Sequence, residues 1–197
     1  MSENLALQPL RADDWTIMRE QAKTFLASGF LPASIKTPEQ AITIMLKGRE
    51  LRIPPLYALS NIAVIQGKPV AAAELMLAIV YRDHGDGAMR ISVSTDKVCT
   101  ITYKRAAWPS YSSYSFTIED AKVAGLLGKE TWKNYPAAML RARCISAVAR
   151  RTFPDSIGGM YTPEELGADV SVNAQGEIEI REIQGGDVQF QGKRDWT

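Results

Sequence analysis

Four arginines, Arg141, Arg143, Arg150 and Arg151, fall between Pro136 and Pro154 with no acid among them. Guanidinium forks match phosphate oxygens two bonds at a time, so such a stretch meets either a polyanion or solvent. It reads as one helix. Pro136 suits the first helical turn, where its missing N–H is not needed, and Pro154 ends the run near Phe153. At 100° per residue, Leu140, Cys144 and Val148 share an apolar stripe with Ala137 and Ala147 beside it. Arg143 and Arg150 share another stripe, about 10 Å apart along the axis, and Arg151 lies at the edge of the apolar one. The small residues Ala142, Ser146 and Ala149 should leave that arginine surface low enough for a chain to approach. The alternative is a solvated cationic face whose arginines pair with acids such as Glu119, Asp120 or Asp155.

Further cations and rings fall into two groups. Lys47, Arg49 and Arg52 close a helix, where they also complement its C-terminal partial charge, and Lys68 lies in the turn Gln66-Gly67-Lys68-Pro69. In the second group Tyr103, Lys104, Arg105, Trp108, Tyr111 and Tyr114 interleave rings with cations, a mixture that suits single-stranded nucleic acid. Tyr103 and Tyr114 also fit a core face, so Trp108 and Tyr111 are the better stacking candidates. Signals for catalysis are poor. The one histidine, His84, sits in Asp83-His84-Gly85-Asp86-Gly87, where a metal site would need partners the pattern does not supply. There is no Gly-rich phosphate loop and no nucleophile elbow. Glu74 could pair with an arginine of the 136–153 helix.

The elements that must position these groups read as α+β, a small antiparallel meander packed against several helices. Trp15, Met18, Ala22, Phe25 and Leu26 recur at helical spacing over 12–28, and Gly29 supplies the stop. Thr37-Pro38-Glu39-Gln40 is an N-cap, a first-turn proline and a capping-box glutamine. That helix runs to about Leu51, and Leu56–Leu59 add one further turn. A strand over 61–65 precedes the Gln66–Pro69 turn, and a helix is expected over 70–81 with Leu75, Ala78 and Ile79 inward. Residues 83–87 read as a loop. Period-two alternation then gives strands over 89–94 and 98–105 and a third over about 111–117. A short helix follows Ile118, and Thr162-Pro163-Glu164-Glu165 opens another after Gly158-Gly159.

Composition and charge narrow the classes. An apolar share of 46% supports a real core. No run of eighteen apolar residues marks a membrane span, and the start of the chain lacks the pattern of a secretory signal. Cys99 and Cys144, in a strand and a helix, read as reduced structural thiols. Residues 36–160 hold seventeen Lys/Arg and ten Asp/Glu, whereas 161–197 hold three against eight. A basic body with an acidic end points to a polyanion partner; the plainer alternative is that Lys and Arg solubilise exposed faces. The chain divides into an N-terminal helical segment over 1–35, a frayed leader at its start, a core over 36–167, and a largely unstructured acidic tail over 168–197 with at most one strand near 177–183.

Lys36-Thr-Pro-Glu-Gln-Ala41, Leu46-Lys-Gly-Arg-Glu-Leu51, Ile65-Gln-Gly-Lys-Pro69, the block Tyr135–Pro154 and Tyr161-Thr-Pro-Glu-Glu-Leu166 resemble the RecT family of phage recombination proteins. The resemblance covers roughly residues 20–167. It implies a fold similar to the lambda Beta protein and a phage- or prophage-encoded protein of the bacterial cytoplasm. It further implies binding of single-stranded DNA and ATP-independent annealing of complementary strands as a ring or helical filament, without a catalytic site. No cofactor is required on this reading, and Mg²⁺ would serve as a phosphate counterion. The expected partners are single-stranded DNA, the annealed duplex, further copies of the chain, a 5′-to-3′ exonuclease and the host single-strand-binding protein. Trp15, Phe25, Phe30 and the hairpin edge are the candidate contact surfaces between copies. Two other classes are a duplex-binding regulatory protein and a metal-dependent nuclease built on Asp83, His84 and Asp86.

Overall fold

The computed structural model describes residues 9–166, 169–172 and 178–181. The expected leader and acidic tail fall largely outside them. Helices α1 (Ala12–Ala27) and α2 (Pro38–Glu50) form an antiparallel pair. Thr37 and Gln40 close the capping box, with Gln40 N–H donating to Thr37 Oγ1 at 3.3 Å and Thr37 N–H to Gln40 Oε1 at 3.2 Å. Met18 and Ala22 bury the inner face of α1 in the same core as Ile44 and Met45 of α2. Helix α3 (Pro55–Asn61) crosses α2 closely, and the crossing depends on Gly48. A Cβ there would stand 2.5 Å from the Ala58 Cβ.

Strands β1 (Ile62–Ile65) and β2 (Lys68–Ala71) make a tight hairpin. Gln66 and Gly67 both have positive φ, 50° and 73°, as a two-residue hairpin turn requires. The helix expected over 70–81 therefore begins later, as α4 (Ala73–His84). Val70 and Ala71 belong to the strand, where Tyr161 completes their pairing: Ala71 N–H donates to Tyr161 O at 2.9 Å and Tyr161 N–H to Pro69 O at 3.1 Å. An apolar run of this length has no period that separates strand from helix, so pairing decided it, with β1 across the turn and with Tyr161 some ninety residues away. Leu75 and Ile79 face inward as expected, but Ala78 is exposed. The loop expected from Asp83 starts only at Gly85, whose φ of 82° ends α4.

Strands β3 (Met89–Ser94), β4 (Val98–Tyr103) and β5 (Ser112–Thr117) form the meander, with β4 central and a bulge in β3 between Ile91 and Val93. Met89, Cys99 and Ile101 line its buried face beside half-buried Tyr103, Tyr114 and Phe116. Short helices α5 (Ile118–Val123) and α6 (Glu130–Asn134) lead into α7 (Pro136–Thr152), which lies across β4 and β5 and against α4. Pro154 ends α7 and at once occupies the first turn of α8 (Pro154–Ile157). A hairpin of β6 (Asp169–Val172) and β7 (Ile178–Arg181) follows; β7 falls where one strand was expected, and β6 was not foreseen. The architecture is α+β. Among the described residues no helix is long and apolar enough to cross a membrane.

A charged chain ties α4 to the surrounding loops. Asp83 lies within 2.7 Å of Arg52 and 2.8 Å of Arg82, and Arg82 donates to the carbonyls of Leu51 and Arg52. Burial raises the Asp83 carboxyl, but hydrogen bonds from Arg82 and Ser156 and the two arginine charges outweigh it, leaving the group below its ordinary range. His84 Nε2 meets Ser156 Oγ at 2.9 Å. Asp83 and His84 are thus engaged with arginines and a serine, and no cluster with metal-binding geometry occurs among the described residues.

Two outcomes follow from the packing. Gly48→Ala should cost about 1–3 kcal/mol through overpacking against Ala58, read as a lower midpoint in chemical denaturation. An unchanged midpoint would show that α3 can move aside freely. Asp83→Asn should cost roughly 1–3 kcal/mol at neutral pH by leaving charged donors unmatched. Because the folded-state value is depressed, the Asp83 contribution is complete above the unfolded pKa of about 3.9 and is lost as pH falls through the folded value. Stability curves of the two proteins should therefore converge in acid, and parallel curves would refute the assignment.

Candidate nucleic-acid interface

Helix α7 carries the arginines because its other side is fastened to the sheet. Leu140, Cys144, Ile145 and Val148 are buried, with the Cys144 thiol donating to the carbonyls of Cys99 and Tyr114, each at 3.5 Å. Both thiols are free. The hydrogen bond with Cys99 and burial push Cys144 far up, so it stays a neutral packing group. Ser146 and Ala149, expected to leave a low open surface, are fully buried. The segment 161–166 folds back over them: Glu165 accepts from Ser146 Oγ and from Thr162 N–H, and forms an ion pair with Arg150 at 3.0 Å.

This cover separates two arginines that share one helical stripe. Arg150 is turned to Glu165 and to the Tyr161 ring, 4.2 Å from its centroid, with Lys68 on the same ring at 5.1 Å. Arg143 lies instead over Phe116 at 5.7 Å, and Arg151 over Tyr114 at 5.4 Å. Neither has an ion pair among the described residues. Tyr114 and Phe116 are two residues apart on β5, so Arg143 and Arg151 mark a line along that strand, about 12 Å along the helix axis at eight residues' separation. A guanidinium lying on a ring keeps its N–H edge free for hydrogen bonding while its stem is held in place. The acids weighed as partners lie elsewhere: Asp120 caps Thr117 at 2.8 Å, and Asp155 is taken by Arg105.

The other candidates divide in the same way. Arg105 makes a two-pronged pair with Asp155 at 2.9 and 2.6 Å and also donates to Thr152 O, which locks the β4–β5 connection to the end of α7. Its bond to Arg105 holds the Asp155 carboxyl below the usual carboxylate range. Lys47 is held by Glu50 and by Gly158 O, and Arg52 by Asp83. Arg49 lines a cleft between α1 and the end of α2. Arg141 is half-buried, with Nε fully enclosed and lacking a hydrogen-bond partner. Lys104 lies over Tyr111 at 5.6 Å, and Trp108 packs obliquely on Tyr103 at 6.2 Å. Tyr111 is among the exposed rings and Trp108 is only partly covered. Glu74, considered as an arginine partner, is exposed and has no ion pair with α7 among the described residues.

The structure therefore gathers Lys104, Trp108, Tyr111 and Arg151 at the end of the sheet nearest the C-terminus of α7, with Arg143 farther along β5. It leaves Lys47, Arg52, Arg105 and Arg150 committed to acids. Arg90 joins the first group, although the interleaved pattern did not single it out. Its guanidinium and the Tyr111 hydroxyl both approach the position a Cβ on Gly87 would take, at 3.6 and 3.7 Å. Its signal was alternation on β3, which turns it to the outer sheet face. That face carries hydroxyl pairs, Ser92 with Thr102 at 3.1 Å and Thr100 with Ser115 at 2.8 Å, and β3, β4 and β5 contain no carboxylate. Arg90 and Lys104 by this neutral hydroxyl surface, with Arg143 and Arg151 on the α7 side of β5, suit a phosphate backbone and offer no pattern for reading bases.

No curated protein matches the chain. The RecT family model matches residues 66–179, from the β1–β2 turn through α7 and into β7, more than half of the sequence. With the arginine helix, the meander and the Tyr161–Leu166 segment all inside that match, the chain belongs to the RecT family.

Proposed function

We propose that this protein binds single-stranded DNA through the phosphate backbone and anneals complementary strands without ATP, working as an oligomer in phage or prophage recombination. Family membership implies recombination by strand annealing, DNA binding and oligomerisation. The observation that carries the finer reading is the line of cations along β5 and the β4–β5 connection. Arg143, Arg151 and Lys104 rest on aromatic rings rather than on acids. Pairing complementary strands is downhill, and its obstacles are phosphate repulsion and self-structure within each strand. A fixed row of guanidiniums lowers the repulsion, and an exposed ring such as Tyr111 can stack on an unpaired base. Neither task consumes a nucleotide, and Mg²⁺ would act here only as a counterion. A 5′-to-3′ exonuclease would supply the single strands, and a host single-strand-binding protein would hold them beforehand.

On this reading Arg143 and Arg151 carry more of the contact than Arg150. The Arg143→Ala/Arg151→Ala double variant should lose affinity for single-stranded DNA on the order of tenfold, to the same extent for every base composition. Its log K against log salt slope should fall by about 0.7 for each arginine removed. Arg150→Ala should do less, because Glu165 already neutralises that charge. Fluorescence anisotropy over a salt series measures all three. A folded double variant with wild-type affinity and slope removes these two arginines from the interface. Annealing of complementary oligonucleotides without ATP, with no strand cleavage in Mg²⁺, separates this function from a nuclease. A preference for duplex in competition would favour a regulatory DNA-binding protein instead.

A further inference from the structure

We infer that the Phe30 loop of one protomer seats in the cleft at the opposite end of the α1–α2 pair of a second copy, a head-to-tail contact that builds the assembly. This deepens the oligomeric reading above and rests on it. The observations are a projecting ring, an apolar cleft and the distance between them.

Phe30 is 68% exposed, the highest value of any phenylalanine or tryptophan among the described large apolar residues. It stands in a stretch, Thr24 to Ile35, without one charged residue, and Ala27, Pro32 and Ala33 beside it are exposed too. Solvated loops are ordinarily rich in charge, and its depletion around an exposed ring is the composition of an interface core. The loop is held ready. Ser28 Oγ donates to Phe25 O at 2.6 Å and accepts from Phe30 N–H at 3.2 Å, and Gly29 turns the chain with φ 69°. A ring held this way loses little freedom on docking.

The cleft has a volume of about 460 Å³, within the roughly 300–1,000 Å³ range of cavities that hold ligands. Ile17 and Met18 of α1, Met45 of α2 and the Ile53-Pro54-Pro55 turn form its apolar wall, and Asp14, Gln21, Arg49 and Arg52 line the rest. Ile17, 55% exposed, stands at the mouth. From Ile17 to the end of α1 at Ala27 is about 15 Å along the axis, and the linker beyond turns away into the start of α2. Ring and cleft therefore sit at opposite ends of one helical pair and cannot satisfy each other within a chain. Between copies they can, and because the two surfaces differ, each contact leaves a free ring at one end and a free cleft at the other. Such an interface repeats into a ring or a filament.

The test uses the full chain. Phe30→Glu disables the ring and Ile17→Glu disables the cleft; both positions are exposed, and circular dichroism checks the fold of each variant. Sedimentation velocity, with and without an oligonucleotide, should show large assemblies for the wild type and monomers for either variant alone. An equimolar mixture should form dimers and stop there, because one intact ring meets one intact cleft. Assembly by either variant alone, a mixture that stays monomeric, or a wild type that never assembles overturns the inference. Annealing by the wild type is measured in parallel. A wild type that assembles as described but does not anneal refutes the function and leaves the interface standing. One that anneals while Phe30→Glu still assembles does the reverse.

Discussion

The seating of α7 on β4 and β5 is the constraint from which the rest of the structure follows. One side of this helix must be buried, and it carries four arginines with no acid of its own. Leu140, Cys144, Ile145 and Val148 meet that demand on the sheet side. Buried apolar area of this kind contributes about 25 cal/mol per Å². No single ion pair at the surface competes with that; most contribute less than about 1 kcal/mol. The arginines accordingly go where the apolar contacts leave room for them. They lie along β5, over Phe116 and Tyr114, and under the 161–166 segment.

Two kinds of cation result. Arg52, Arg105 and Arg150 are bound by carboxylates and hold pieces of the fold together: the turn after α2, the β4–β5 connection and the returning segment. Arg143, Arg151, Lys104 and Lys68 are steadied by rings, which hold the stem without cancelling the charge. A guanidinium already ordered on a ring gives up less entropy when it meets a phosphate. The separation also reconciles a nearly neutral protein with a polyanion partner. Net charge matters less than which charges lack an acid; among the described residues Arg143, Arg151 and Lys104 lack one, and they border a sheet whose strands β3, β4 and β5 hold no carboxylate.

Several elements were legible because their signals are local. The capping box at Thr37–Gln40, the stop at Gly29 and the proline at the start of α7 act through neighbours in the chain, so their spacing alone reports them. The meander was legible through alternation, which one buried sheet face imposes. The start of α4 was not, since Val70 and Ala71 are held as strand by β1 across the hairpin and by Tyr161 on the other side. Spacing does not mark Gly48 as a contact either, because Ala58 reaches it from a different helix. Among the candidate site residues, the helix phase separated the apolar face from the cationic one correctly. It could not tell Arg143 from Arg150, which differ by about 20° on the wheel.

By itself the sequence determined the α+β class, the helix that carries the arginines, the lack of a nucleotide-binding loop and the family. All of these rest on residue type and short-range spacing. Tertiary structure alone decided which cations stay available. Whether an arginine ends on a carboxylate or on a ring depends on what distant segments bring within about 4–6 Å of it. Glu165 reaches Arg150 because the chain turns back at Gly158, and among the described residues no acid reaches Arg143 or Arg151. Charge is encoded at single positions, but its compensation is a property of packing.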